Sequence, residues 1–364
     1  MRKKILFVVL GQEYSGAEIV LNDYIKNNVF IDSYFVTIYK GNAYDKLIEL
    51  YGIERVKTLN LSFRKNESRL YPFITQIRVK KFLEKIVDVI KPNIIYVNNT
   101  IEVMLCGKYI KGSNLPSIAH IHDMKNSYKS PMKIYEAKKA LKYYDRVLTV
   151  SESCRLSWKN DKMKVVYNGL SESDFLYSNV SINSSNNRVF GFVGTISYKK
   201  GFDILHSVVL NLDKSKYYWK IAYNNIEPGC QKYLFELQKL SNVEIYYDLN
   251  RGELNKFYEE IDFLVIPSRK DPLPTVAIEA ISKSKLVVGF RIDGIPELIN
   301  DDDLIVEYVN SESLIEKIKE VNSWGMDKIS KKRKRLFNCA RKKFSLENKI
   351  MYINQMINDM DGIE

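Results

Sequence analysis

No run of about 18 apolar residues occurs anywhere in this chain, so the sequence offers no membrane-spanning helix. Cysteine is scarce: Cys106, Cys154, Cys230 and Cys339 stand far apart and match no metal or redox spacing. A reducing compartment, the cytoplasm, is therefore expected. With 3 histidines in all, a zinc site is not expected. The dinucleotide fingerprint G-x-G-x-x-G and the P-loop pattern are both missing, which argues against a Rossmann cofactor and Walker-type ATP binding. Acids are absent from Lys328 to Lys343, a stretch that carries nine cations.

What is present is an ordinary globular composition with a positive balance. The 364 residues are 45% hydrophobic and 27% charged, enough for two α/β domains, with a formal net charge of +12. Cations also concentrate over 55–85 and 125–146. Three explanations compete: docking on anionic lipid, nucleic-acid binding, or a solvated basic surface. No nucleic-acid motif accompanies the charge, so that partner is not expected.

Strand-like and helix-like segments alternate along the chain. Ile5–Leu10, Ile94–Val97, Ser117–His120 and Arg146–Val150 read as short buried strands, with helices near Ala17–Tyr24 and Tyr135–Lys142 between them. The basic, apolar N-terminus has a signal-like start but a short apolar run, and reads as the first strand. At 178–187 the sequence SNVSINSSNN is polar and aperiodic, which predicts a linker. A second series follows in Arg188–Val193, Trp219–Tyr223, Val243–Tyr246, Phe263–Ile266 and Leu286–Phe290. The expected fold is α/β, with two Rossmann-like doubly wound domains facing across a cleft. The domains are 1–177 and 188–345, and a terminal helical segment, 346–364, is expected to return to the first.

Phe263 to Glu297 is the richest segment. An apolar strand is followed by Pro267, Pro272 and Pro274, which keep a helix from starting early. Thr275 is the expected N-cap of a helix beginning at Val276. A helix start offers unpaired N–H groups and partial positive charge to a diphosphate. Asp271 in the loop and Glu279 one turn into the helix would accept hydrogen bonds from hydroxyls. A nucleotide sugar carries both kinds of group.

Four weaker segments accompany it. Gly16, in GQEYSGAE after the first strand, suits a tight turn or a close backbone approach to phosphate. Lys200, in GTISYKKGFD, precedes a helix where an ammonium can meet phosphate oxygens. His120 and His122 alternate on a strand-like segment and are expected to face opposite sides, which argues against a shared metal. On its residues alone, this segment is either a strand end satisfied by local hydrogen bonds or a histidine touching a reacting sugar. VSES at Val150 and YNGL at Tyr167 add a turn signal and little more.

Taken in order, SGAE, HD at His122, VSES, YNGL, GTISYKKGFDIL, PSRKDPLPTVAIEA and GIPELI resemble the family 4 glycosyltransferases, whose fold is GT-B. The last two look like that family's E-x7-E region, and the set spans residues 5 to about 300. The resemblance implies a retaining transfer from a nucleotide sugar, UDP- or GDP-linked, to a glycan or lipid-linked acceptor hydroxyl, with no metal or other cofactor. It implies a catalytic pair, His122 beside the donor sugar and Asp271 on its hydroxyls. It implies donor binding through Gly16, Lys200, the backbone of Thr275 and Val276, and Glu279 on the ribose. Acceptor choice would lie in first-domain loops such as 62–71 and 124–132.

The sequence departs from the family twice. Asp271 is one methylene shorter than the usual Glu, and Thr195 stands where many members carry an arginine. Arg269 is the candidate replacement phosphate partner. The resemblance and the basic surface lead to an expected role in bacterial surface-polysaccharide assembly, peripheral at the inner face of the cell membrane. The alternative is a catalytically weak sugar-nucleotide-binding assembly subunit.

Overall fold

A computed structural model describes residues 2–14, 16–61, 71–177 and 188–360, with backbone alone at 71–73. The expected linker, Ser15 and most of the 62–71 loop lie outside the described residues. The chain divides into two compact units, Met1–Asn168 with Glu347–Glu364, and Gly169–Leu346.

The first unit is built on seven parallel strands: β1 (Lys3–Val9), β2 (Ile31–Thr37), β3 (Val56–Thr58), β4 (Ile94–Asn98), β5 (Ser117–Ile121), β6 (Arg146–Thr149) and β7 (Met163–Val165). Their order is β3-β2-β1-β4-β5-β6-β7. The chain starts at the centre, winds to one edge, then crosses back, so the switch point lies between β1 and β4. Central strands such as IIYVN are buried throughout because helices cover both faces. One core layer gathers Leu6, Val8, Val97 and Trp158, the other Ile5, Phe7, Phe35 and Tyr96.

The terminal helix Leu346–Met360 contributes Ile353, Met356, Ile357 and Met360 to the second of these layers. Burying each such side chain stabilises by roughly 1.5–3 kcal/mol. Asn28 also donates to Asn354 Oδ1 on this helix, at 2.8 Å.

The second unit has six parallel strands: β8 (Arg188–Val193), β9 (Tyr217–Tyr223), β10 (Val243–Tyr247), β11 (Phe263–Ile266), β12 (Leu286–Phe290) and β13 (Ile305–Val306). Their order, β10-β9-β8-β11-β12-β13, repeats the winding, with the switch point between β8 and β11. Residues 169–177, grouped with the first domain by sequence, belong here. Leu176 N–H donates to Ser282 O at 3.0 Å, and Phe175 meets Phe337 edge-on, with centroids 5.9 Å apart. Phe175 has apolar surface to bury, and the second core takes it, while Leu176 and Tyr177 stay exposed.

Candidate functional site

In the second unit, Lys200 and Asp271 come from the loops after β8 and β11, on either side of the switch point. Lys200 Nζ donates to Asp271 Oδ2 at 2.7 Å, and Ser268 Oγ donates to the same oxygen at 3.4 Å. Asp271 is 5% exposed, whereas the Lys200 side chain keeps about a third of its surface in solvent. Removing Lys200 leaves the Asp271 carboxylate buried without that partner, at a cost of up to about 3–5 kcal/mol.

Two glycines bring the loops together. A Cβ on Gly201 would lie 1.8 Å from Pro267 O, and Gly201 has φ +69°. A Cβ on Gly294 would lie 1.9 Å from Pro272 O. The KKG and GIPE segments therefore need glycine to press against the 267–272 loop. Asp293 completes the clamp by accepting from Asp271 N–H at 2.9 Å, while Gly294 N–H donates to Asp271 O at 3.1 Å. Burial, then the charge of Asp271, raises the Asp293 pKa.

The helix runs Thr275–Ser282. Its N-cap is Pro274, without a side-chain cap, and Thr275 is its first residue, which corrects the expected capping role. Proline lacks the N–H that a cap need not supply, and its fixed φ suits the extended cap position. The backbone N–H groups of Thr275 and Val276 therefore sit in the first turn, where no intrahelical acceptor exists. Glu279, one turn on, accepts from Tyr258 Oη at 2.8 Å. Tyr258 is buried, and its phenol is raised well above its ordinary range by burial and by the Glu279 charge.

Arg269 is committed elsewhere. Its two terminal nitrogens hold Asp203 at 2.6 and 2.7 Å, and Nη1 also reaches Tyr198 O at 2.9 Å. To meet a phosphate it would have to leave a bidentate carboxylate.

In the first unit, His122 follows β5, and the two histidine rings lie side by side with centroids 4.2 Å apart. They do not face opposite sides as expected. Residues two apart on a strand line the same face, so the pleat carries both rings to one side, and His122 keeps that direction just past the last strand residue, Ile121. The alternation argument against a shared metal fails with it. His120 Nδ1 pairs with Tyr96 Oη at 2.6 Å, and His122 Nε2 with Asn98 Oδ1 at 3.0 Å. Among the described residues, no three His, Cys, Asp or Glu side chains gather as a metal set.

Burial, then the nearby Lys349 charge, pushes His122 down to about 3. Burial, with His122 and Lys349, also holds His120 well below its ordinary value. Both rings are therefore neutral near pH 7 and offer hydrogen bonds rather than charge. Lys349 comes from the terminal helix, is 5% exposed and lies 3.5 Å from Asn168 Oδ1. Burial pushes it down to about 7. Gly16 opens the helix Gly16–Lys26, and a Cβ there would meet no protein atom within 4 Å, so packing does not require its glycine.

The structure thus joins Lys200 directly to Asp271 and places Thr275, Val276 and Glu279 on the helix that follows. His122 and Gly16 belong to the other unit. Sequence reading missed the residues that hold these in place: Tyr258, Asp293, Asp203, Tyr96, Asn98 and Lys349. Only Asp293-Gly294, a turn dipeptide, carried a local signal.

Solved structures with this arrangement of parallel sheets define the class. The Anabaena protein HepE, in complex with UDP and glucose, superposes with a TM-score of 0.78 at 18% identity, over 98% of this chain and 100% of its own. Sucrose-phosphate synthase from Thermosynechococcus elongatus gives 0.76 at 14% identity, over the whole of both chains. At such identities they show the fold, which is the GT-B fold of glycosyltransferases.

Sequence comparison narrows this. The family model described as Glycosyltransferase Family 4 matches residues 33–173, and that described as Glycosyl transferases group 1 matches 176–343. The chain belongs to the glycosyltransferases of this group 1, family 4 type, and is a transferase. It is 28% identical over 265 residues to an uncharacterized glycosyltransferase of Methanocaldococcus jannaschii, covering 68% of this chain and 69% of that one. It is 26% identical over 200 residues to an uncharacterized 41.2 kDa protein in the cps region of Klebsiella pneumoniae, covering 49% and 54%. The chain thus spans about half the length of the latter relative.

Proposed function

We propose that this protein moves a sugar from a UDP- or GDP-linked donor to a glycan or lipid-linked hydroxyl, with retention, in assembling a bacterial surface polysaccharide. The observation that carries the donor half is the Lys200–Asp271 pair at 2.7 Å, set before the start of the helix Thr275–Ser282. When the bond from the anomeric carbon to the diphosphate breaks, negative charge gathers on the leaving group. Lys200 and the first N–H groups of the helix suit that charge. Asp271 suits sugar hydroxyls, and Glu279, oriented by Tyr258, suits the two ribose hydroxyls. On the first unit, neutral His122 suits a sugar hydroxyl without adding charge. HepE, a structural neighbour, is solved with UDP and glucose, and a relative lies in a cps region, which favours this chemistry and setting.

The test is a donor-hydrolysis and transfer assay over a panel of nucleotide sugars. Turnover with one of them, lost in Glu279→Ala, is expected. No donor binding, with Glu279→Ala indistinguishable from the parent, sinks the reading. A second reading, a donor-binding subunit with little turnover, is favoured by Thr195 in place of arginine and by the hold of Asp203 on Arg269. Robust turnover by the isolated chain excludes it.

Association with an anionic membrane face is the remaining part of the proposal. Among the described residues no helix is long and apolar enough to cross a membrane. Several cations of the 328–343 run have local partners: Lys328 and Lys332 with Asp303, Arg335 with Asp301, Arg333 with Asp262 and Arg341 with Glu172. Lys331 and Lys334 are exposed on the same helix. Flotation with vesicles of anionic and of neutral lipid decides the point, and equal recovery in both rejects docking.

A further inference from the structure

We propose that the amino edge of the second sheet binds a small inorganic anion of halide size among Arg188, Arg333 and Lys285. Arg188 opens β8, Asp262 precedes β11 and Lys285 precedes β12. The strand registers set these positions side by side, since Phe263 pairs with both Phe190 and Leu286. Arg333 reaches them from the helix Met326–Lys343. The three cations are 4%, 6% and 4% exposed, in the order Arg188, Arg333, Lys285.

Their partners do not balance them. Among the described residues, Asp262 is the one carboxylate in direct contact: Oδ1 lies 3.4 Å from Arg333 Nη2, and Oδ2 accepts from Val189 N–H at 3.0 Å. Arg333 Nη2 also lies 3.5 Å from Asp262 O. Arg188 Nη2 donates to Trp324 O at 2.9 Å, and Lys285 Nζ donates to Glu259 O at 2.9 Å. Among the described residues, Arg188 Nε, Arg188 Nη1 and Arg333 Nε have no hydrogen-bond partner. The Glu259 carboxylate is exposed and acts on Lys285 only at a distance, as the Tyr177 hydroxyl does on Arg333.

A buried charge needs a counter-charge, and a buried N–H needs an acceptor. Lys285 has one escape: burial lowers it to about 8, so it can lose its proton. Arginine has none, because a guanidinium does not deprotonate in proteins. Among the described residues, two buried guanidinium groups then face one carboxylate, with three donor nitrogens unused. An anion supplies the missing charge and the missing acceptor together. The donors come from two planes on different elements, which suits a spherical acceptor better than a directional oxyanion. The place is independent of donor chemistry, since Lys200 and Asp271 lie at the opposite, carboxyl ends of these strands.

The full-length protein, exchanged into gluconate at fixed ionic strength and well below the Lys285 pKa, is melted with increasing chloride, bromide or phosphate. Chloride and bromide are expected to raise the midpoint and saturate, and bromide-soaked crystals should show anomalous density beside Arg188 Nε. Arg333→Met should raise the half-saturating bromide about tenfold or more, since it removes one charge-assisted donor. Lys285→Met, which gives up a hydrogen bond to the Glu259 backbone carbonyl, gives the same reading if Arg333→Met does not fold. Superimposable melts in chloride, phosphate and gluconate overturn the proposal. So does selective stabilisation by phosphate, or unchanged bromide dependence in a folded variant.

Discussion

Beyond the end of β11 an ammonium and a carboxylate meet at 2.7 Å, whereas at the end of β5 two imidazoles lie 4.2 Å apart, under the charge of a buried lysine. The two units share a winding and a switch-point geometry, yet use them differently. The second keeps charge and pairs it. The first removes charge, because burial and Lys349 hold both rings neutral. The same winding of doubly wound sheets thus places a charged pair in one unit and neutral hydrogen bonding in the other.

The largest expected effect tests the charged side. Lys200→Met should lower kcat/KM for transfer by about 10²–10³, the scale of losing one preorganised contact to developing charge. It also leaves Asp271 buried without its cation, so the melting temperature should fall. Asp271→Asn in the same background separates the two effects. Restored stability with activity still lost is expected, and recovery of both would mean that the pair is only structural.

Next comes the orientation of Glu279. Tyr258→Phe keeps the buried ring and deletes the 2.8 Å hydrogen bond. Donor KM should rise about tenfold with kcat little changed, as when uniform binding is weakened. An equal fall in kcat with constant KM would place Glu279 in the chemical step instead.

These residues also show why one unit was legible in the sequence and the other was not. Asp271, Thr275 and Glu279 lie within nine consecutive positions, and prolines and glycines mark the turns around them. Their chemistry is local, so spacing reveals it. His122 depends on Asn98, 24 positions away, and its neutrality depends on Lys349 in the terminal helix. No periodicity reports such a contact. The expectation of opposite faces failed because residues two apart on a strand share a face, so the pleat sets His122 on the side of His120. The doubly wound class was readable because apolar strands such as FLVI and LVVGF declare burial on both faces. Short pieces such as β3, β7 and β13 carry no comparable run.

The neutral side makes a smaller, pH-dependent prediction. Lys349 titrates near 7 in the folded chain and near its ordinary 10.5 when unfolded. Between those values the unfolded chain binds more protons, so stability should rise with pH, by at most about 1.4 kcal/mol per pH unit. Lys349→Met should flatten that slope and gain most at and below pH 7. For His122, folded near 3 against an ordinary 6.5, stability should fall on acidification through that interval. With 3 histidines in the chain, a ¹³C-histidine titration resolves each ring. A His122 midpoint near 6.5 in the parent would end the contrast between the units.

The smallest expected effect concerns Arg269. Its guanidinium is held in a fork by Asp203, and that hydrogen bonding raises its pKa. If the fork persists with donor bound, Arg269→Lys should change donor KM less than about threefold, because the cation is not at the phosphate. Thr195→Arg, which restores the cation that many family 4 glycosyltransferases carry, should lower donor KM by severalfold in the same assay. The opposite ranking, a large loss in Arg269→Lys and no gain in Thr195→Arg, would mean that Arg269 leaves Asp203 for the diphosphate. The charged side would then be assembled only when the donor arrives, and the contrast between the two units would belong to the ligand-free protein alone.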